Sequence, residues 1–125
     1  MKTPEVENHL ADLEENLLRA IEFVQNSTFE DFREDHRTQY AVVRALEIVG
    51  ESSKRVPDWV RALEPAVPWK AMAGMRDRLI HAYDDVNLEL VWSTIRVTIP
   101  PLLPRIAELR RRIRASSAES SSEDQ

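Results

Sequence analysis

Cysteine is absent and glycine nearly so, and these two gaps exclude several kinds of site. Without cysteine the chain can form no disulfide, thiolate nucleophile or zinc–thiolate centre. The only two glycines, Gly50 and Gly74, cannot form a Gly-rich phosphate-binding loop between them. No apolar run approaches the ~20 residues of a membrane span, and the sequence lacks a signal-peptide pattern. We therefore expect a cytoplasmic protein that does not associate with membranes.

The charge balance is acidic and argues against a broad nucleic-acid surface. The chain holds 17 lysines and arginines against 22 aspartates and glutamates, a formal net charge of −5. Nucleic-acid-binding proteins usually carry a basic footprint, so any such site here has to be small and local. One dense basic cluster exists, and we attribute it to a helix C-terminus, where cations are favoured. Its members are Arg105, Arg110, Arg111, Arg112 and Arg114.

Apolar residues at spacings of three and four predict an all-α fold. At 125 residues the chain is long enough for one domain with a real core. We predict an antiparallel helical bundle over residues 1–114 and a disordered, acidic, serine-rich tail over residues 115–125. The bundle should contain four long helices, beginning near Thr3, His36, Pro68 and Asn87, plus a short helix after Pro57.

Three prolines interrupt the last long segment. Its apolar stripe continues from Leu88 to Ile113 through Pro100, Pro101 and Pro104. An interior proline costs a helix roughly 3 kcal/mol. We therefore expect a last helix that is kinked or split at the prolines, with both halves packed on one core.

Residues 74–83 bring together three groups that could do chemistry. Arg76, His81 and Tyr83 supply a cation, a group that titrates near neutral pH and a phenol. On an ideal α-helix Arg76 and His81 would point about 140° apart. A shared site therefore requires the helix to loosen near residue 81, the arginine to reach round it, or a second chain to complete it. Turn-favouring residues follow at 84–87, which is compatible with a helix end near His81.

The sequence gives little support for metal chemistry, but it does support acid–base chemistry. His9, His36 and His81 are far apart in sequence and no His-Glu-x-x-His pattern occurs, so we predict no metal site and no cofactor. Imidazole exchanges protons near neutral pH, and guanidinium binds phosphate and stabilises charge that develops on it. RNA supplies its own nucleophile, the 2′-hydroxyl, so His81 and Arg76 would suffice for a ribonuclease. An arginine and a histidine on one helix also occur together by chance, and the pair alone decides nothing.

A polar row on the second long helix has two interpretations. Arg44, Glu47 and Glu51 are spaced i, i+3 and i+7 and share a helix face. The row is either a solvated ladder of ion pairs or a set of side chains that faces Arg76 and His81. The sequence does not decide between them.

Three motifs in order give the chain a resemblance to a known family. The first is VRALEIVGE at residues 43–51, the second is Arg76-x4-His81-x-Tyr83 preceded by Pro68-Trp69 and Gly74-Met75, and the third is VNLELVW at residues 86–92. Over roughly residues 5–112 the chain resembles the HepT-like toxins of the HEPN superfamily.

The resemblance implies a fold, an activity and a partner. The fold is an all-α HEPN-like bundle that forms a homodimer, with the paired motifs in a cleft at the interface. The activity is metal-independent endoribonuclease cleavage by Arg76 and His81, in the toxin of a type VII-like toxin–antitoxin system. The partner is an MntA-like minimal nucleotidyltransferase that neutralises the toxin by transferring AMP from ATP to the motif tyrosine, here Tyr83. Supporting roles fall to Asp77, Arg78, Arg44, Glu47 and Glu51.

Asp77 departs from the family pattern, which usually has asparagine directly after the arginine. A carboxylate here can pair with Arg76 or Arg78 and lower the positive potential of the site. Together with the acidic net charge, Asp77 favours a second interpretation. The chain would then be a non-catalytic helical subunit that binds a minimal nucleotidyltransferase as an assembly partner.

Overall fold

The computed structural model describes residues 3–81 and 85–123, with the side chains of residues 80, 81, 85 and 119–123 outside the description. These ranges form helices, one π-helical turn (the π-turn, Thr94–Thr98) and two short strands, β1 (Ile80–His81) and β2 (Asp85–Val86). The prediction of an all-α bundle is confirmed. The helices are α1 (Thr3–Val24), α2 (Phe29–Glu34), α3 (His36–Arg55), α4 (Asp58–Arg61), α5 (Trp69–Ala73), α6 (Met75–Leu79), α7 (Leu88–Ser93) and α8 (Leu102–Glu123).

Three long helices, α1, α3 and α8, form the body of the bundle. The apolar stripe of α1 is buried against α3 and α8, as its spacing predicts. Asp35 caps α3, since its carboxylate accepts a hydrogen bond from the Thr38 amide at 3.1 Å. Among the described helices, none is long and apolar enough to cross a membrane.

Between α3 and α8 the chain forms short elements. The helix predicted from Pro68 is divided at Gly74, whose backbone (φ −91°, ψ 6°) leaves helical geometry and separates α5 from α6. Asn87 caps α7 as predicted, because its side chain accepts a hydrogen bond from the Leu90 amide at 3.0 Å. Trp92 of α7 packs against the rings of Phe29 and Phe32, with centroids 5.9 and 5.5 Å away.

The prolines split the last long segment. A kink or a split was predicted, and the structure shows the split. Pro100 and Pro101 lie between the π-turn and α8 and have no amide hydrogen to donate to the preceding carbonyls. The turn before them is widened, with the Ile99 amide donating to the Thr94 carbonyl five residues earlier at 2.9 Å. Pro104 falls in the first turn of α8, where a missing amide hydrogen costs nothing.

Helix α8 runs beyond the residue at which we placed a disordered tail. It continues to Glu123, whereas the sequence predicts disorder from residue 115. Ala115 and Ala118 favour helix, and both are exposed, so the helix continues here without burying them against the bundle. The arginine cluster at residues 105–114 consequently lies inside a helix rather than at its C-terminus, which corrects our explanation of that cluster.

Candidate active site

Arg76 projects from a five-residue helix that is anchored by its two ends. Met75 and Leu79 of α6 are buried in the core, at spacing i and i+4 on one face. The three residues between them, Arg76, Asp77 and Arg78, are all exposed. Packing thus fixes α6 against the bundle and directs its charged residues outward.

Asp77, which stands where the family usually has asparagine, is paired with Arg76. The Arg76 Nη1 and Asp77 Oδ1 atoms lie 3.7 Å apart, and both side chains are more than half exposed. An exposed ion pair of this kind contributes only about 0–1 kcal/mol. An arriving phosphate can therefore displace Asp77 at small cost, although the carboxylate reduces the positive charge that the phosphate meets.

The helix loosens between Arg76 and His81. Helix α6 ends at Leu79, and β1 pairs antiparallel with β2, placing Ile80 opposite Val86 and His81 opposite Asp85. The Asn87 amide closes this reversal by donating to the Leu79 carbonyl at 3.0 Å. The 140° separation expected on a continuous α-helix therefore does not apply to His81. The His81 side chain and the whole of Tyr83 lie outside the described residues, so their roles stay predictions.

Gly50 allows α3, which carries the motif at residues 43–51, to approach α5 and α6 closely. Helix α3 packs against both α5 and α6. A Cβ atom at Gly50 would lie 3.3 Å from the Ala73 carbonyl oxygen and 3.6 Å from that of Met72. The absence of a side chain at this position therefore sets the distance between α3 and the helix pair that carries Arg76.

The polar row on α3 makes an ion pair within itself. Arg44 Nη1 and Glu47 Oε2 lie 3.6 Å apart, and the Arg44 side chain is 71% exposed. Glu51 is exposed as well. Among the described residues, no hydrogen bond or ion pair connects this row to Arg76. The observed contact is the one expected of a solvated ladder.

Three of the five arginines in the dense cluster of α8 make contacts that hold the bundle together. Arg105 pairs with Glu64 at 3.3 Å and Arg110 pairs with Glu14 at 3.1 Å. Arg112 donates to a backbone carbonyl, that of Leu63, at 2.9 Å. These guanidinium groups connect α8 to α1 and to the segment after α4, and are not available together as a basic nucleic-acid surface.

Among the described residues, no group of three or more histidine, aspartate or glutamate side chains is placed to hold a metal ion. Asp77, the acid next to Arg76, is instead paired with that arginine.

A cleft lies between α5–α6 on one side and α7 with the π-turn on the other, and the sequence did not reveal it. This cleft, named the α6–α7 cleft, has a volume of about 140 Å³. Met72, Met75 and Leu79 form part of its wall, and their inward positions are predictable from the helical spacing. Its opposite wall depends on the π-turn, for which the sequence offers only Pro100 and Pro101 as a signal. The lining includes Arg78, Leu90, Ser93, Thr94 and Thr98.

These features define a small all-α bundle with a charged motif at a point where the chain leaves a helix. The family model described as ribonuclease HepT-like matches residues 13–109, and the chain belongs to this family.

Three relatives show how far the similarity extends. A protein of Thermococcus cleftensis with the name "Probable ribonuclease HepT" is 44% identical over 83% of this chain and 94% of its own length. A "Putative RNase" of Methanocaldococcus jannaschii is 37% identical over 96% of this chain and 99% of its own. Another "Putative RNase", from Caldanaerobacter subterraneus subsp. tengcongensis, is 42% identical over 87% and 96%. No solved structure matches the chain significantly.

Proposed function

We propose that the protein is a metal-independent endoribonuclease whose active site is built on Arg76 and His81. The observation that carries this proposal is the membership of a ribonuclease HepT-like family, joined to an exposed Arg76 on a helix that ends two residues before His81. The names of the relatives point to the same class of substrate.

The chemistry needs only these two side chains, the RNA itself and water. His81, acting as general base, takes the proton of a 2′-hydroxyl, and the freed oxygen attacks the adjacent phosphorus. The bond to the 5′-oxygen breaks, and that oxygen takes a proton from water as it leaves, so the products are a 2′,3′-cyclic phosphate and a 5′-hydroxyl. Arg76 binds the non-bridging oxygens and stabilises the charge that grows on them.

In the same proposal the enzyme is the toxin of a type VII-like toxin–antitoxin system and acts as a homodimer. A minimal nucleotidyltransferase of the MntA type would transfer AMP from ATP to the Tyr83 hydroxyl, releasing pyrophosphate. Tyr83 stands two residues after His81 in sequence. An adenylate there would add bulk and negative charge next to the catalytic groups and would repel RNA phosphates.

Substitution of His81 tests the ribonuclease directly. We expect His81→Ala to lose RNA cleavage by a factor of about 10²–10⁴ and to abolish growth arrest on expression. The matched control is His36→Ala, which removes an exposed imidazole at the start of α3. Equal cleavage and equal growth arrest by wild type and His81→Ala would refute the proposal.

Intact-mass measurement tests the switch. The protein is expressed with and without the nucleotidyltransferase, and the modified peptide is mapped. Added mass of one or more AMP units on Tyr83 supports the proposal, with loss of the modification in Tyr83→Phe and its retention in Tyr40→Phe, the only other tyrosine. No modification under any condition would favour inhibition by binding alone.

The Arg76–Asp77 ion pair favours a second candidate, a non-catalytic subunit that assembles with the nucleotidyltransferase. In that case Arg76→Ala would abolish the complex, measured by size-exclusion chromatography with light scattering, without an effect on any RNA. Loss of cleavage with the complex intact would reject this candidate. The same light-scattering measurement on the protein alone tests the homodimer.

A further inference from the structure

The α6–α7 cleft combines an apolar floor with polar groups at its edge. Its floor is apolar, with Met72, Met75 and Leu79 all buried. Exposed residues at its edge include Ser93 and Thr98, which bring hydroxyl groups, and Arg78, which brings a cation. Ligand sites commonly combine an apolar wall with a few polar groups in this way.

The size of the cleft matches a single aromatic ring. Its volume is about 140 Å³, and an apolar cavity of about 150 Å³ in another protein holds one benzene molecule. Methionine side chains adapt to a flat ring because they are flexible and polarisable. A six-membered ring is thus a group of the size that this space can hold.

The end of α7 and the π-turn bring hydroxyl groups to the cleft. Thr94 is buried and its hydroxyl donates to the Leu90 carbonyl at 2.7 Å, so this hydroxyl is already used by the backbone of α7. Thr98 lies at the other end of the same turn and is exposed. π-Helical turns are rare and occur frequently at functional sites, and this one exists because Pro100 and Pro101 cannot continue an α-helix.

Arg78 places a second cation on the side of α6 away from Arg76. Two residues apart on a helix, their side chains point about 160° from each other. With a helix diameter of roughly 10–12 Å including side chains, a single RNA strand that crosses α6 would meet both. Arg76 would then hold one phosphate, and Arg78 another at the mouth of the cleft.

We propose that the α6–α7 cleft is a subsite for one pyrimidine nucleotide of the RNA substrate, adjacent to the cleaved bond. Its ring enters between Met75 and Leu90, its polar edge meets the hydroxyls of Ser93 and Thr98, and its phosphate binds Arg78. The inference rests on the proposed ribonuclease activity and adds a base preference to it. Arg78 is here a substrate-binding residue and not a participant in bond cleavage.

Kinetics with the purified full chain tests the subsite. Arg78→Gln removes the cation, and Ala71→Leu fills the cleft from a half-buried lining position. We expect either change to raise KM for a single-stranded RNA about tenfold, with kcat altered less than twofold, and to relax the base preference next to the cut. The matched controls are Lys70→Gln on α5 and Ala107→Leu on α8, both exposed and outside the lining.

Unchanged KM and an unchanged cut pattern in both cleft variants, with an active wild type, would overturn the subsite and leave the ribonuclease intact. Methyl NMR with uridine and adenosine 5′-monophosphates provides a readout that does not need activity. Shifts of the Met72, Met75 and Leu90 methyl signals that are larger for the uridine nucleotide, and absent in Ala71→Leu, would support the subsite even if no RNA were cleaved. No shifts, or tighter binding of the purine, would overturn it.

Discussion

The two halves of the molecule differ in the length of their helices and in what separates them. In the long-helix half, α1, α3 and α8 contain 22, 20 and 22 residues and bury continuous apolar stripes. In the segmented half, residues 57–81 and 85–101, the described helices have four to six residues and are separated by prolines, a glycine and a pair of strands. Short helices have little stability of their own, so the segmented half depends on the long helices for its shape.

The arginines of α8 and α6 differ as well. Three of α8, Arg105, Arg110 and Arg112, bind glutamates and a carbonyl of neighbouring segments and stabilise the packing. Arg76 and Arg78 of α6 extend into solvent, and the one described ion pair of Arg76 is with an exposed neighbour in sequence. Charge on α8 is thus used for assembly, whereas the arginines of α6 stay exposed to solvent. The contrast is between these two helices, because Arg61 and Arg96 of the segmented half also donate to backbone carbonyls.

Truncation in the long-helix half should give the largest effect on stability. Leu10 is fully buried in α1. We expect Leu10→Ala to lower the free energy of unfolding by about 2–5 kcal/mol, measured by chemical denaturation, because it leaves a cavity between α1 and its neighbours. Leu18→Ala, at a position 44% exposed in the same helix, should change it by about 0.5 kcal/mol or less. Similar losses in both variants would contradict the burial of the α1 stripe in the core.

A side chain at position 50 of α3 should displace α5 and so disturb the segmented half. Gly50→Ile would push α5 away from α3, where a Cβ already meets the Ala73 carbonyl at 3.3 Å. We expect a loss of about 1–3 kcal/mol in stability and reduced RNA cleavage, because α5 leads directly into α6. Gly74→Ala is the control, since its Cβ would make an ordinary 3.5 Å contact. Full activity in a destabilised Gly50→Ile would show that α3 does not position Arg76.

Removing the carboxylate next to Arg76 should increase activity. Asp77→Asn eliminates the pair with Arg76 and leaves the guanidinium to the RNA. Because an exposed pair is worth at most about 1 kcal/mol, we expect kcat/KM to rise by up to about fivefold. Asp58→Asn removes an exposed carboxylate on α4 and should have no effect. A fall in kcat/KM would mean that Asp77 takes part in catalysis.

The smallest effect concerns the cap of α3. The Thr38 hydroxyl and amide donate to the Asp35 carboxylate and hold its pKa below the ordinary value. The charged cap therefore stabilises the fold above the ordinary pKa, and this contribution is lost as the pH falls below about 4. We expect the melting temperature of wild type to fall more steeply between pH 5 and 2 than that of Asp35→Asn, whose amide still accepts from Thr38. Parallel curves would contradict this role of Asp35.

The structure of the long-helix half could be predicted from the sequence, whereas that of the segmented half could be predicted only in part. Periodicity and capping residues predict α1 and α3 to within a few residues, because a long amphipathic stripe has one stable arrangement. The division at Gly74 occurs where α5 and α6 pack against α3, and Pro100 and Pro101 predict a break without specifying the widened turn before it. The turn-favouring residues at 84–87 predict a helix end near His81, but not the pairing of β1 with β2. The sequence therefore revealed the motif formed by Arg76, His81 and Tyr83, but it did not reveal the α6–α7 cleft.

The most direct test of the account is cleavage of one defined RNA, with and without a 2′-O-methyl group at the cut position, by wild-type protein in excess EDTA. Since Arg76 and His81 are proposed to rely on the RNA's own 2′-hydroxyl, we predict cleavage of the unmodified RNA to a 2′,3′-cyclic phosphate and none of the methylated one. Equal cleavage of both RNAs, or cleavage only after a metal ion is restored, would contradict it.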